Sequence, residues 1–168
     1  MKKQLLRLNV QRTLRANTAQ RRTRPFSDVR TAGILYCSDS PGTTEAVQGI
    51  RQQLEASGIQ TTLLEFREKP PAAAGEDTNS FSPKDFSLWG SLRNTNVESF
   101  IRQEFDYLFS ADRLLHPAVE FVLAASQARC RAGISSDESN PFLDVMIQSD
   151  GQPEQILNEL LNLTKKLQ

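Results

Sequence analysis

The stretch Thr31-Ala-Gly-Ile-Leu-Tyr-Cys37 decides the fold, because it is a nearly unbroken apolar run with the length of a buried strand. A helix is predicted to follow over Pro41–Ala56, where apolar residues recur every four positions and Gly58 ends the helix. Ile59–Phe66, rich in β-branched and aliphatic residues, is predicted to form a second strand. This strand–helix–strand order is typical of a parallel βαβ unit.

The same alternation continues along the rest of the chain. Further strands are predicted over 105–109, 130–134 and 142–147, and further helices over 97–103, 117–129 and from Pro153 onward, with Asn96 as the cap of the first of these helices. Apolar parallel strands need helices on both faces of their sheet. The predicted fold class is therefore α/β: a three-layer, doubly wound, mainly parallel sheet of five or six strands, flavodoxin-like or Rossmann-like.

The segment Phe81–Gly90 allows two interpretations. It contains Phe81, Phe86 and Trp89, which makes it too apolar for a free loop. It is predicted to form either a short edge strand or a plug packed on the sheet. Trp89 is expected to anchor this segment in the core, and the alternative is an exposed aromatic used in recognition. A Pro/Ala/Gly-rich loop is predicted before it, over Lys69–Asn79.

The net charge of zero conceals a strong asymmetry between the two ends of the chain. The 168 residues hold 20 basic and 20 acidic side chains, but the first 24 residues hold eight of the basic ones and no acid. The remainder therefore carries 12 basic groups against 20 acidic ones. We divide the chain into a basic arm, residues 1–27, and a single α/β domain, residues 28–168. The cations of the arm are Lys2, Lys3, Arg7, Arg12, Arg15, Arg21, Arg22 and Arg24.

The arm is predicted to contain a short amphipathic helix over residues 2–16, followed by an aperiodic stretch. Three roles stay open: packing on the body or on a protein partner, binding a polyanion, or acting as an organellar presequence. The first predicted function is a non-catalytic binding or scaffold protein whose residues 1–24 contact RNA or a ribonucleoprotein. The body has no RNA-recognition signature, and the chain has no DNA-specific motif.

The second predicted function is binding of a phosphate, nucleotide or flavin, or catalysis, by the loop 38–44 after the first strand. Hydroxyls, a glycine and a helix N-terminus occur together there, as in the phosphate loop of flavodoxins. The alternative is an ordinary helix cap that binds nothing, since Asp39 adds negative charge. Asp112 and His116 are expected at the same edge, as an acid–base pair or as further caps. The candidate ligand residues are Ser38, Asp39, Ser40, Gly42, Thr43, Asp112 and His116.

Composition excludes several other classes of protein. Two cysteines, Cys37 and Cys130, cannot form a disulfide framework and are expected to be buried free thiols. No metal-ligand set is recognised, so neither a metal nor a cofactor is predicted. No apolar run approaches the ~20 residues that span a bilayer. A hydrophobic content of 38% is too high for a wholly disordered chain.

Several stretches resemble one known family over nearly the whole chain. They are the basic N-terminal helix, Val29–Leu35 with Gly33, the Asp-Phe-x-x-Trp-Gly of Phe81–Gly90, Phe105–Leu108, Ala124–Arg129 leading into Gly133-Ile134, and Leu143–Ile147. They are similar to an uncharacterised Bacteroidetes domain family of unknown function. The resemblance implies a small cytoplasmic bacterial protein with a Rossmann-like fold that keeps its N-terminal helix. It carries over no catalytic residue.

Overall fold

The computed structural model describes residues 2–69, 79–113 and 115–167. Its sheet has six strands, all paired in parallel, in the order β3-β2-β1-β4-β5-β6. The strands are β1 (Thr31–Cys37), β2 (Gln60–Phe66), β3 (Ser80–Phe81), β4 (Tyr107–Ser110), β5 (Arg131–Ile134) and β6 (Val145–Ile147). The order reverses direction between β1 and β4, which is the switch point at which open α/β sheets bind ligands. The predicted α/β fold class is confirmed.

Five helices cover the two faces of the sheet: α1 (Lys2–Ala16), α2 (Thr43–Ala56), α3 (Thr95–Arg102), α4 (Pro117–Ala125) and α5 (Pro153–Lys166). Successive residues of a strand point to opposite faces, so each strand contributes to two separate cores. Leu35 and Leu108 pack with α1, α3 and α4, whereas Ile34 and Phe109 pack with α2 and α5. The three predicted layers are therefore present. Among the described helices, none combines the length and apolarity needed to cross a membrane.

Helix α1 packs along α4 and belongs to one of the two cores. Leu6 is 3% exposed and Val10 is 1% exposed. Because α4 lies on the sheet and α1 packs along it, α4 is buried on nearly every side, as its almost wholly apolar sequence requires. The arm thus forms part of the layered structure through its apolar stripe.

Helix α4 ends at Ala125, four residues before the predicted end at Arg129. The Asn17 amide donates hydrogen bonds to the carbonyls of Ala124 (2.7 Å) and Ser126 (2.9 Å), which lie at this end. These bonds satisfy carbonyl oxygens that have no N–H partner once the helix ends. From Ser126 the chain becomes extended and leads into β5.

Several further boundaries differ from the prediction, and α2 begins at Thr43 and not at Pro41. The cap of α3 is Asn94 and not Asn96, because the Asn94 side chain accepts hydrogen bonds from the backbone of Asn96 (3.0 Å) and of Val97 (3.2 Å). Strand β4 begins at Tyr107 and not at Phe105, and just before it the carboxylate of Asp106 accepts a hydrogen bond from Thr31 N–H. Strand β6 begins at Val145, after a turn of 3-10 helix over Asn140–Phe142.

The segment Phe81–Gly90 combines both interpretations. Ser80 and Phe81 form the short edge strand β3, and Phe81 and Phe86 are buried as a plug would be. Trp89, however, is 80% exposed, so the expectation that it anchors the core is wrong. Of the predicted loop over Lys69–Asn79, all but the two end residues lies outside the described residues.

Candidate ligand site at the carboxyl edge of the sheet

A cavity of about 310 Å³ opens at the carboxyl ends of β1, β2 and β4, at the switch point of the sheet. The sheet contributes Cys37 and Phe66 from strand ends, and the loop after β4 contributes Asp112 and His116. The full lining is Lys3, Arg7, Cys37, Phe66, Glu68, Asp112, Leu115, His116, Pro117 and Val119. Residues far apart in sequence meet here because parallel strands end at a common edge.

Asp112 is a buried ionisable group of this cavity. Its residue is only 7% exposed, and its Oδ2 has no hydrogen-bond partner among the described residues. Burial raises the pKa of Asp112 to about 7, although a hydrogen bond from the Cys37 backbone opposes the shift. The carboxyl therefore gains or loses a proton near neutral pH, which an ordinary surface aspartate does not do.

His116 caps α4 and presents its other nitrogen without a partner. Its Nδ1 accepts a 3.1 Å hydrogen bond from Ala118 N–H, which leaves the proton of the neutral ring on Nε2. Nε2 is buried and bonds to nothing in the described part of the chain. The pKa of His116 is lowered first by burial and then by the positive charge of Lys3, against the opposing charge of Glu68. The ring is thus a neutral hydrogen-bond donor at pH 7.

Helix α1 brings two cations to the cavity. Lys3 and Arg7 are four residues apart, so both lie on the same side of the helix. Lys3 Nζ lies 3.9 Å from a carboxylate oxygen of Glu68, and both side chains are more than half exposed, so this pair is weak. The docked arm therefore borders the cavity with positive charge and leaves it open.

The loop 38–44 contributes none of its predicted ligand residues to this cavity. The Asp39 carboxylate accepts a 2.9 Å hydrogen bond from Glu68 N–H and so ties the end of β1 to the end of β2. The Ser38 side chain bonds to Glu65, and Thr43 is buried at the start of α2. Ser40 is exposed, and Gly42 borders a separate groove between α2 and α5. Asp112 and His116 are thus the two predicted ligand residues that lie together.

Cys37 lines the cavity as a thiol. Burial raises its pKa to about 12, and the neighbouring carboxylates of Asp112 and Asp39 act in the same direction. A thiol with so high a pKa is a poor nucleophile at neutral pH. Cys130 is fully buried, whereas Cys37 is only partly buried, and the pKa of Cys130 is also raised to about 12. Both cysteines are free, as expected from the sequence.

Two other cations of the arm are used in the structure. The Arg21 guanidinium donates to the carbonyls of Ala128 and Ser126, after the end of α4. Arg24 pairs with Asp106 at 3.2 Å, and the Asp106 side chain is only 6% exposed. These two residues fasten the second half of the arm to the body.

Three further described cations of the arm point to solvent. Arg12, Arg15 and Arg22 are exposed, and their side chains form no ion pair with any residue that the structure describes. The Lys2 side chain lies outside the described part of the chain. The seven described charges of the arm therefore divide among the cavity, the body and solvent.

Sequence reasoning did not connect Lys3 and Arg7 with Asp112 and His116. The four-residue spacing of the two cations on a predicted helix was an available signal, but the side of the body on which α1 packs was not. The structure also buries Ser110, at the end of β4, with an unpaired Oγ. Within the described ranges, no group of three or more His, Cys, Asp or Glu side chains is placed to hold a metal ion.

A protein-family sequence model described as "Family of unknown function (DUF6913)" matches residues 2–167. The match includes α1, both cations of the cavity, and the Asp112–His116 loop. No curated protein matches the chain.

Proposed function

The chain belongs to a family of unknown function (DUF6913), and from the geometry of its carboxyl-edge cavity we propose that it binds a small phosphate-bearing ligand there. One observation carries the proposal: the buried Asp112 carboxyl has an unpaired oxygen in a cavity bordered by Lys3 and Arg7. An unpaired polar atom in the interior is costly, and a ligand oxygen would supply its missing partner.

The polar groups around the cavity match the oxygens of a phosphate. Lys3 and Arg7 supply positive charge, and the neutral His116 ring supplies Nε2–H as a donor. The N-terminus of α4, which begins at Pro117, adds its partial positive charge. Glu68 opposes an anion, but it is exposed and is already within ion-pair distance of Lys3.

Asp112 couples this binding to a proton. Its ionised form would repel a phosphate, whereas its protonated form donates an O–H to a phosphate oxygen. Because the pKa of Asp112 is about 7, the protonated form is populated at neutral pH. We infer that the protein binds its ligand more tightly below pH 7 than above it.

The size of the cavity restricts the ligand. At about 310 Å³ it lies at the small end of ligand sites, which range over roughly 300–1,000 Å³. A sugar phosphate or the phosphate-bearing half of a mononucleotide suits this volume better than a complete flavin nucleotide.

The predicted origin, cellular location and scaffold role are proposals that do not come from the cavity. The bacterial origin in Bacteroidetes and the cytoplasmic location are supported by the family resemblance alone. The scaffold role, in which the cations of residues 1–24 contact RNA or a ribonucleoprotein, stays a separate proposal.

A ligand titration with a matched pair of variants tests the proposal. Inorganic phosphate, ribose 5-phosphate, AMP and FMN are each added to the full chain, and thermal unfolding and calorimetry are followed at pH 6 and pH 8. A ligand at a hundred times its Kd stabilises the folded state by about 2.7 kcal/mol. We expect stabilisation by at least one small phosphate ester, with a larger effect at pH 6.

The variants separate the cavity from general charge effects. Arg7→Gln is expected to weaken binding about tenfold, which corresponds to the loss of one charge-assisted contact. Arg102→Gln removes an exposed arginine on α3 and should leave binding unchanged. If no phosphate compound stabilises the protein, or if both variants weaken binding equally, the proposed site is wrong.

A further inference from the structure

Two large apolar side chains stand in solvent next to each other. Leu88 is 71% exposed and Trp89 is 80% exposed. Trp89 is the only tryptophan of the chain. Large aromatic side chains are enriched in interaction surfaces relative to the rest of the protein surface.

The turn that presents Trp89 is rigidly built. The Ser87 hydroxyl accepts hydrogen bonds from the backbone N–H groups of Trp89 (3.3 Å) and Ser91 (3.0 Å). Ser87 N–H in turn donates to the Ser91 carbonyl at 2.8 Å, and Gly90 takes a φ of +81° that a side chain would disfavour. The exposure of Trp89 is therefore set by hydrogen bonds on both sides of it.

This turn sits directly on α1. The Asn9 amide donates a 2.8 Å hydrogen bond to the Gly90 carbonyl. A Cβ added at Gly90 would lie 3.5 Å from the Leu6 backbone, so the turn and the helix are in van der Waals contact. Arg12 follows Asn9 by three residues and thus lies on the adjacent helix surface.

The outer surface of α1 is cationic and has no acid. Arg12 and Arg15 are both exposed and form no ion pair within the described ranges. The rest of the chain carries an excess of acidic groups, so a polyanion would be repelled elsewhere and attracted here. The exposed aromatic side chain and the unpaired guanidinium groups thus belong to two elements that contact each other at Asn9 and Gly90.

We propose that Trp89, with Arg12 and Arg15, binds single-stranded RNA. Unpaired bases stack on exposed aromatic rings, and arginines beside the ring hold the phosphates that link them. The proposal concerns a surface outside the carboxyl-edge cavity and does not depend on a ligand bound there.

Charge and burial favour this occupant over a membrane. An amphipathic helix binds lipid through its apolar stripe, but the stripe of α1 at Leu6 and Val10 is buried against α4. In the described part of the chain, the large apolar side chains left exposed are Leu8, Leu88 and Trp89, together with Met146 on the distant edge strand β6, which are too few for a lipid anchor.

Tryptophan fluorescence tests the contact directly, because the chain has a single tryptophan. The full chain is titrated with a 12-residue oligouridylate at low and at moderate salt, and a fluorescently labelled copy of the oligonucleotide gives the affinity by anisotropy. We expect saturable quenching of Trp89 and an affinity that falls with salt. A pre-formed RNA duplex, whose bases are already stacked, should quench weakly.

Variants assign the effect to this surface. Trp89→Ala is expected to lower affinity about tenfold, in line with the loss of one stacked base. The double variant Arg12→Gln/Arg15→Gln should reduce the slope of log affinity against log salt by about 1.4, since each lost phosphate contact on a single strand contributes about 0.7. The control Arg51→Gln/Lys166→Gln removes a half-buried cation of α2, which pairs with Glu55, and an exposed cation of α5, both on the opposite face, and should change neither quantity.

Because Trp89, Arg12, Arg15 and Lys166 are exposed and Arg51 lies at the surface with an i,i+4 pair as its partner, none of the variants should prevent folding. Far-UV circular dichroism verifies this. The proposal is overturned if the oligonucleotide leaves Trp89 fluorescence unchanged, or if the control pair weakens binding as much as the test pair. It is also overturned if vesicles of phosphatidylglycerol change the emission of Trp89 while RNA does not.

Discussion

The His116 imidazole stacks on the Phe66 ring, with centroids 4.8 Å apart and planes inclined by 27°. Phe66 ends β2 and His116 caps α4, so this contact joins the two elements that border the carboxyl-edge cavity. The hydrogen bond from Ala118 N–H to Nδ1 fixes the direction in which the stacked ring points. The ring is therefore both a structural cap and the positioned donor of the proposed ligand site.

Substitution of His116 should separate these two roles. His116→Ala removes the cap and the stack and is expected to reduce the free energy of unfolding by about 1–3 kcal/mol. His116→Asn restores the cap alone and should recover roughly half of this loss. Urea denaturation at pH 7.5 measures both variants. Equal stability of the alanine and asparagine variants would show that the capping bond contributes nothing.

The buried carboxyl of Asp112 predicts an unusual dependence of stability on pH. Its pKa is raised in the folded state, from 3.8 to about 7, so the protonated form is favoured by folding. The stabilisation is complete below about pH 4 and is lost as the pH rises to 7. At about 1.36 kcal/mol for each unit of pKa shift, the total change approaches about 4 kcal/mol.

The variant Asp112→Asn isolates this effect, since it keeps the shape but cannot ionise. The difference in unfolding free energy between wild type and Asp112→Asn should decline between about pH 4 and pH 7 and level off above. Denaturation at pH 4, 5, 6, 7 and 8 gives this difference profile. Parallel profiles for the two proteins would contradict a raised pKa at Asp112.

The contact between α1 and α4 predicts that the arm stabilises the whole domain. Leu6→Ala is expected to lower the free energy of unfolding by about 2–5 kcal/mol, because a nearly buried leucine leaves a cavity. Leu8→Ala, two residues away and 59% exposed, should change it by less than about 0.5 kcal/mol. Guanidinium denaturation of the full chain measures both. Similar values for the two variants would mean that α1 does not pack on α4 in solution.

The sequence predicted those helices and strands whose buried side produces a clear pattern of apolar residues. Strand β1 has its predicted bounds, Thr31–Cys37, since it is apolar and central in the sheet. Helix α1 also occupies the predicted residues, because its apolar stripe repeats every four positions. The end of α4 could not be predicted, since it depends on a side chain from the distant Asn17.

The carboxyl-edge cavity was predicted only in part, because some of its residues meet through tertiary contacts. The topology alone places Asp112 and His116 at one edge, because both follow β4. Lys3 and Arg7 join them only after α1 has packed on α4, a tertiary contact that leaves no local signal. The exposure of Trp89 was missed because residue size favours burial, whereas hydrogen bonds of Ser87 hold this turn outward.

Two glycines, Gly33 inside a strand and Gly49 inside a helix, should respond in opposite ways to substitution by alanine. A Cβ at Gly33, in the central strand β1, would lie 2.8 Å from a ring atom of Phe105, which is fully buried and packed on Phe100. Since the ring cannot retreat, Gly33→Ala is expected to destabilise the fold by about 1–3 kcal/mol. At Gly49, inside α2, the same Cβ meets nothing within 4 Å, so Gly49→Ala should stabilise by up to about 1 kcal/mol. Thermal unfolding compares them, and destabilisation of the same size at both positions would contradict the close approach of Phe105 to β1.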